Sequence, residues 1–337
     1  MGRIRVIGTG GTIACVQTEH GLAPRLGAKD LLQYLSIDTS DIDCIDLFKM
    51  DSSNIQPEEW CTLAGKIHKT AWDYDGIVVT HGTDTMAYTA SMLSFMLQGI
   101  DIPVVLTGSQ YPIINPDSDG KRNLEDAIVA ARGLSGGIYV CFGSDVMLGC
   151  RAVKTRTTSL NAFESINYPM IAKIQDHKLI RLNEPKRICR QPEFTTDIDP
   201  RVALIKLIPG TGTALLDNLP NCGIRGVVVE AFGLGGVHNI RRDHTESLAR
   251  LMRNGITVVL SSQCLYEPSS PDIYEVSRVL RDAGIIPSYD MTTEATVTKL
   301  MWVLGAVSDP ERIQQLMRTN LANEMVEVEK QKTLICV

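Results

Sequence analysis

Val6-Ile7-Gly8-Thr9-Gly10-Gly11-Thr12-Ile13 decides how this chain is read. Ile4, Val6 and Ile7 form a short apolar run of the kind expected for a strand buried on both faces of a parallel sheet. The run breaks into Gly8, Gly10 and Gly11 and delivers Thr12. Glycine permits positive φ and lets a ligand approach the main chain closely. Residues just beyond the carboxyl end of a strand lie where open α/β sheets bind ligands. A dinucleotide loop, G-x-G-x-x-G, fits poorly, because its third glycine position is Ile13 and no strand-ending acid follows at the required distance. By itself the stretch supports two readings, a loop presenting a nucleophilic hydroxyl and a tight structural turn.

Working outward, 337 residues are enough for a large core and for two domains. A hydrophobic fraction of 44% with 21% charged residues is ordinary for a globular protein. A net charge of −6 without a Lys/Arg cluster argues against a nucleic-acid-binding face. The nine cysteines are scattered with no C-x-x-C spacing, which points to reduced thiols in the cytoplasm. The six histidines show no ligand spacing, so no metal is expected. The first apolar run is interrupted too soon for a secretory signal, and no segment approaches the ~18 uninterrupted apolar residues of a membrane span. A cytoplasmic protein with no membrane partner is the expectation.

Apolar runs alternate with helical patterns along the chain. Strands are expected over residues 43–48, 76–80, 103–107 and 137–142, and helices over 30–35, 87–97 and 123–132, with another opened by Gln56-Pro57-Glu58-Glu59. That alternation describes a doubly wound parallel sheet. Residues 17–29 are polar with little periodicity and read as a mobile loop beside the site, a lid. Pro185, Pro192 and Pro200 punctuate a charged stretch, giving a division into residues 1–184, a linker at 185–200, and a second α/β domain at 201–337. In that second domain strands are expected at 202–208, 226–232 and 257–261 and helices near 213–219, 245–253 and 274–283. The charged end from Glu324 onward is expected to fray.

A second strand, Asp75-Gly76-Ile77-Val78-Val79-Thr80, ends in His81-Gly82-Thr83-Asp84-Thr85. A threonine hydroxyl is a weak nucleophile near neutral pH and needs a base and an oxyanion site. Thr12 would supply the hydroxyl. Thr83, Asp84 and Lys154 would relay its proton, provided the lysine ammonium is partly desolvated. Each residue also has a plainer role: Asp84 as a helix N-cap, Lys154 as a solvated loop lysine, Ser52-Ser53 as capping residues. His81 reads as a satisfied histidine beside the sheet rather than a base.

The pair of motifs, about seventy residues apart, resembles the L-asparaginase family, and "HGTDTMAYTASMLSFML" resembles its cytoplasmic type I branch. The likeness continues through Met50-Asp51-Ser52-Ser53, Leu106-Thr107-Gly108-Ser109-Gln110, Arg151-Ala152-Val153-Lys154 and Asp290-Met291-Thr292-Thr293-Glu294. It implies a larger N-terminal and a smaller C-terminal α/β domain, hydrolysis of L-asparagine without cofactor, and a homotetramer built as a dimer of dimers. It also implies roles: Thr12 as nucleophile, Thr83, Lys154 and Asp84 as relay, and main-chain N–H groups of Gly11 and Thr83 at the oxyanion. Ser52 would meet the substrate α-carboxylate, and Asp84 with Asp51 the α-ammonium. Tyr274 matches a tyrosine that approaches a neighbouring subunit's site. The pattern is broken at Leu22, where relatives carry a loop tyrosine, and at Val153, where allosterically activated relatives carry threonine. Three alternatives stay open: a glutaminase; the ammonia-releasing subunit of a tRNA-dependent amidotransferase, which usually carries an extra N-terminal domain; and a weakly catalytic amino-acid sensor, for which Leu22 speaks.

Overall fold

The structure, a computed structural model, describes residues 2–188, 193–269 and 278–326. It divides into two compact units, Met1–Thr196 and Asp197–Val337.

In the first unit the chain enters as β1 (Ile4–Gly10), buried at nearly every position, then forms β2 (Cys15–Thr18) and β3 (Gly21–Pro24). α1 (Ala28–Leu32), β4 (Ile42–Met50), α2 (Pro57–Thr70), β5 (Gly76–Thr80) and α3 (Met86–Met96) follow. Next come β6 (Pro103–Thr107), α4 (Gly120–Gly133), β7 (Gly137–Phe142) and β8 (Asp145–Leu148). The unit closes with β9 (Ala152–Lys154), β10 (Phe163–Ser165), β11 (Ala172–Gln175) and β12 (Lys178–Arg181). Eight of these strands make one sheet in the order β12-β11-β8-β7-β6-β5-β1-β4. From β4 to β7 every pairing is parallel. β1, β5, β6 and β7 are the apolar runs that the sequence announces, and continuous burial is what a parallel sheet covered on both faces demands, whereas β4, at the edge, is only half-buried.

The outer edge departs from an all-parallel sheet: β7–β8, β8–β11 and β11–β12 are antiparallel. Residues 17–29 also depart from the expected lid loop. β2 and β3 form an antiparallel hairpin in which Glu19-His20 make the turn, Gly21 leaves it at φ +112°, and Gln17 faces Leu22 across the ladder. α2 starts where its sequence says, with Gln56 N–H donating to Glu59 Oε2 at 2.9 Å.

β1 lies between β4 and β5. The chain therefore passes from β1 to one side, then crosses back to continue on the other. Such a switch point opens a crevice at the carboxyl ends of its strands, and the ends concerned are those of β1 and β5. Topology alone thus puts Thr12 and Thr83 at one crevice.

In the second unit β13 (Val202–Lys206), α5 (Ala214–Asp217), β14 (Gly226–Ala231), α6 (His244–Arg253) and β15 (Thr257–Ser262) precede α7 (Arg278–Asp282), β16 (Ile286–Pro287), α8 (Thr293–Ala306) and α9 (Pro310–Arg318). The strands form a parallel sheet in sequence order. Val227, Val229, Val258 and Leu260 pack with Leu248 and Leu280 in its core. Of the end expected to fray, residues 327–337 lie outside the described residues, and Glu324 itself is fixed. Glu324 is buried, accepts from Leu321 and Ala322 N–H, and pairs at 2.6 Å with the buried Lys299 of α8. Among the described residues no helix is long and apolar enough to cross a membrane.

Candidate active site

Three main-chain corners converge at the switch point, and glycine makes the convergence possible. Gly10 and Gly11 have φ of +102° and +76°. A Cβ on Gly11 would lie 2.3 Å from the nitrogen of Gly82, so the turn after β1 packs main chain on main chain against the turn after β5. A Cβ on Gly82 would lie 2.5 Å from Ser52 Oγ. Thr12, Thr83 and Ser52 therefore flank a single junction. Thr85 Oγ1 ties it further by donating to Ser52 O at 2.8 Å.

Lys154 reaches this junction from the end of β9. Its Nζ donates to Thr83 Oγ1 at 2.8 Å and to Asp84 Oδ1 at 2.6 Å. The lysine side chain is 14% exposed and the Asp84 carboxylate 64%. Neither plainer role describes these two residues: Lys154 is held in a strand, and the carboxylate of Asp84 goes to the ammonium while α3 starts at Met86 with Thr85 as its cap. Ser52 is buried at the start of a short 3-10 turn.

Two expected site residues have partners of their own. The N–H of Gly11 donates to Met50 O at 3.0 Å, because the β1–β4 ladder resumes at Gly10↔Met50 after a slip in register. Of the two main-chain donors expected at an oxyanion, only that of Thr83 is without a partner among the described residues. What Gly11 contributes is its missing side chain. The Asp51 carboxylate caps the turn that follows, accepting from Ser53 N–H at 2.8 Å and Ser53 Oγ at 2.7 Å. Tyr274 lies outside the described residues. Leu22, 57% exposed, stands on the hairpin and offers no hydroxyl.

Two further side chains belong to the site, though no motif spacing assigns them a role. Gln110 donates from Nε2 to Thr157 O and Ser159 O, both at 3.0 Å, and turns Oε1 toward Thr83 Oγ1 at 3.5 Å. It ties the loop after Lys154 to the threonine that Lys154 contacts. His81 is wholly buried. Its Nδ1 lies 2.7 Å from Gly82 O and its Nε2 3.0 Å from Thr89 Oγ1, which accepts from Trp60 Nε1 at 2.9 Å. A carbonyl only accepts, so Nδ1 carries the hydrogen and Nε2 takes the threonine hydroxyl. Burial lowers the imidazole pKa to about 4, so the ring is neutral near pH 7. Among the described residues no group of three or more His, Cys, Asp or Glu side chains could hold a metal ion.

The arrangement offers a hydroxyl at a glycine turn, a second hydroxyl joined to a lysine, and an N–H without a partner among the described residues. That set suits acyl transfer from an amide. The model of the asparaginase N-terminal domain matches residues 3–187, and that of the glutaminase/asparaginase C-terminal domain matches 201–317. The L-asparaginase of Thermococcus kodakarensis is 43% identical over 326 residues, covering 96% of this chain and 99% of that protein. Its solved structure superposes with a TM-score of 0.91. The probable cytoplasmic L-asparaginase of Campylobacter jejuni, 27% identical, superposes with a TM-score of 0.82 over 95% of this chain and 100% of its own. A glutamyl-tRNA(Gln) amidotransferase subunit of Saccharolobus solfataricus is 38% identical over 96% of this chain and 76% of its own length.

Proposed function

This chain belongs to the asparaginase family, and on that premise we propose that it hydrolyses L-asparagine to L-aspartate and ammonia through a threonine acyl-enzyme. The observation that carries the mechanism is the joining of Thr83 and Asp84 to one largely buried lysine beside the Thr12 turn.

Thr12 Oγ1 attacks the side-chain amide carbon. Its proton passes into the Thr83–Lys154 relay, whose members are joined at 2.8 Å. The amide oxygen takes up negative charge and faces the Thr83 N–H. Collapse breaks the C–N bond, and the relayed proton leaves on ammonia. Water, deprotonated through the same relay, then releases L-aspartate and restores Thr12. Ser52 holds the α-carboxylate and Asp84 the α-ammonium. The Asp84 carboxylate is the exposed partner of the Lys154 pair, so a substrate ammonium can reach it. Asp51, next to Ser52 in the chain, would join Asp84 at that ammonium, and the protein would act as a homotetramer in the cytoplasm.

Ammonia release from asparagine and glutamine, measured side by side, tests the assignment. Glutamine adds one methylene between the α-groups and the amide, and a misplacement of about 1 Å can cost ~10²-fold. Its kcat/KM is expected to be well below that of asparagine. Equal values would make the protein a glutaminase-asparaginase, and a full-rate Thr12→Ala variant would remove the nucleophile.

A further inference from the structure

The Gly82–Thr83 peptide is planar and trans, so its carbonyl and its N–H point in opposite directions. The carbonyl accepts from the buried Nδ1–H of His81, and the ring's other nitrogen is fixed by Thr89, itself fixed by Trp60. Trp60 is 6% exposed and Thr89 1%, so the chain of hydrogen bonds is anchored in the core. On the opposite edge of the same peptide the Thr83 N–H has no partner among the described residues. A buried polar chain ending on one carbonyl spends three side chains to set one peptide plane.

We infer that His81 is a positioning residue: through the Gly82 carbonyl it fixes the direction in which the Thr83 N–H meets the amide oxygen as that oxygen becomes an oxyanion. The inference rests on the threonine acyl-enzyme mechanism proposed above. It requires no proton transfer by the imidazole. It adds a role for Trp60 and Thr89, whose hydrogen bonds here run to each other and to His81 rather than to Thr12 or Lys154.

The test compares wild type, Thr12→Ala, His81→Leu, His81→Asn and Trp60→Phe for kcat and KM with asparagine and for the Kd of L-aspartate. Removing an oxyanion donor outright costs ~10²–10³-fold in kcat, and a donor that is present but misdirected keeps part of its effect. His81→Leu is therefore expected to lose about tenfold in kcat while KM and the aspartate Kd stay within about twofold, because the oxyanion exists only in the transition state. In His81→Asn a side-chain amide N–H replaces Nδ1–H, and kcat should return to within about threefold of wild type. Trp60→Phe should show the same kcat-only signature at smaller size, about two- to fivefold, and adding it to His81→Leu should change little. Full kcat in folded His81→Leu overturns the inference, as does an asparagine variant no better than leucine, or a fall in kcat matched by weaker aspartate binding. If His81→Leu does not fold, unchanged kcat in Trp60→Phe overturns it. A fully active Thr12→Ala refutes the mechanism itself, whatever the His81 variants do.

Discussion

Gly11→Ala probes the junction that the whole site is built on. At φ +76° and ψ 177° the position lies in a region open essentially to glycine, and placing a side chain there costs about 1–3 kcal/mol. The added Cβ would stand 2.3 Å from Gly82 N, 2.5 Å from Gly82 Cα and 2.7 Å from His81 C, all backbone atoms with no rotamer to yield. Overpacking of that kind costs a further ~1–3 kcal/mol. The sum, roughly 2–6 kcal/mol, corresponds to a Tm lowered by about 4–24 °C in a unit of this size. If the protein absorbs the clash by spreading the two turns, Thr12 and Thr83 move apart by something near 1 Å, and kcat should fall ~10²-fold. Thermal unfolding and asparagine turnover on the same preparation separate the two effects. Gly65→Ala is the control: Gly65 sits within α2 with nothing within 4 Å of its would-be Cβ, and alanine there should be neutral or stabilising by ~0.5–1 kcal/mol. Gly11→Ala with both the Tm and the kcat of wild type would refute the claim that close main-chain contact sets the site.

Thr83→Val and Lys154→Met should each remove most of kcat in a folded protein, and the double variant should be little worse than either, since residues acting as one relay lose activity non-additively; additive losses in steady-state kinetics would separate them. The Asp199 carboxyl, hydrogen-bonded first by Arg201 and then by Arg225, is held down from 3.8 to about 2. A depressed carboxyl pKa stabilises the fold above about pH 4 and loses that contribution as pH falls toward 2, so Asp199→Asn should be less stable at pH 6 by about 1–2 kcal/mol, allowing for the exposure of both arginines, with the gap to wild type closing in acid during urea titrations. Lys299→Met leaves Glu324 buried without its cation and should cost about 3–5 kcal/mol, part of which Glu324→Leu should restore in the double variant, again by urea unfolding.

What the sequence shows of the fold follows burial. β1, β5, β6 and β7 are continuous apolar runs because both sheet faces are covered, and each is legible from its own residues. β12 is Lys178-Leu179-Ile180-Arg181, an edge strand with three exposed positions, and its pairing is decided by β11 rather than by any pattern of its own. The β2–β3 hairpin is hidden for the same reason: its four-residue strands are mostly half-exposed, carry no alternation, and owe their order to the turn at Glu19-His20. At the other end, Glu324 belongs to a charged stretch whose natural reading is solvation. Its partner Lys299 sits 25 residues earlier, on a helix buried on most sides, and nothing in the local sequence points to it.

The site divides along a different line. Thr12, Thr83, Asp84 and Lys154 are nameable because acyl transfer needs those functional groups and motif spacing supplies them, yet no spacing says that Lys154 reaches both partners from a strand 70 residues away. The Gly11 N–H misleads for the opposite reason. A glycine turn advertises free donors, but the register slip after Gly8 returns that N–H to the ladder on Met50. His81 shows the limit most clearly. From sequence it is a satisfied histidine, and the structure agrees, since both ring nitrogens are bonded and the ring is neutral. Satisfaction and function are not alternatives at this position. The group that satisfies Nδ1 is the carbonyl of the peptide whose N–H we assign to the oxyanion, so a residue excluded as a base by its burial is, by that same burial, able to hold the peptide still.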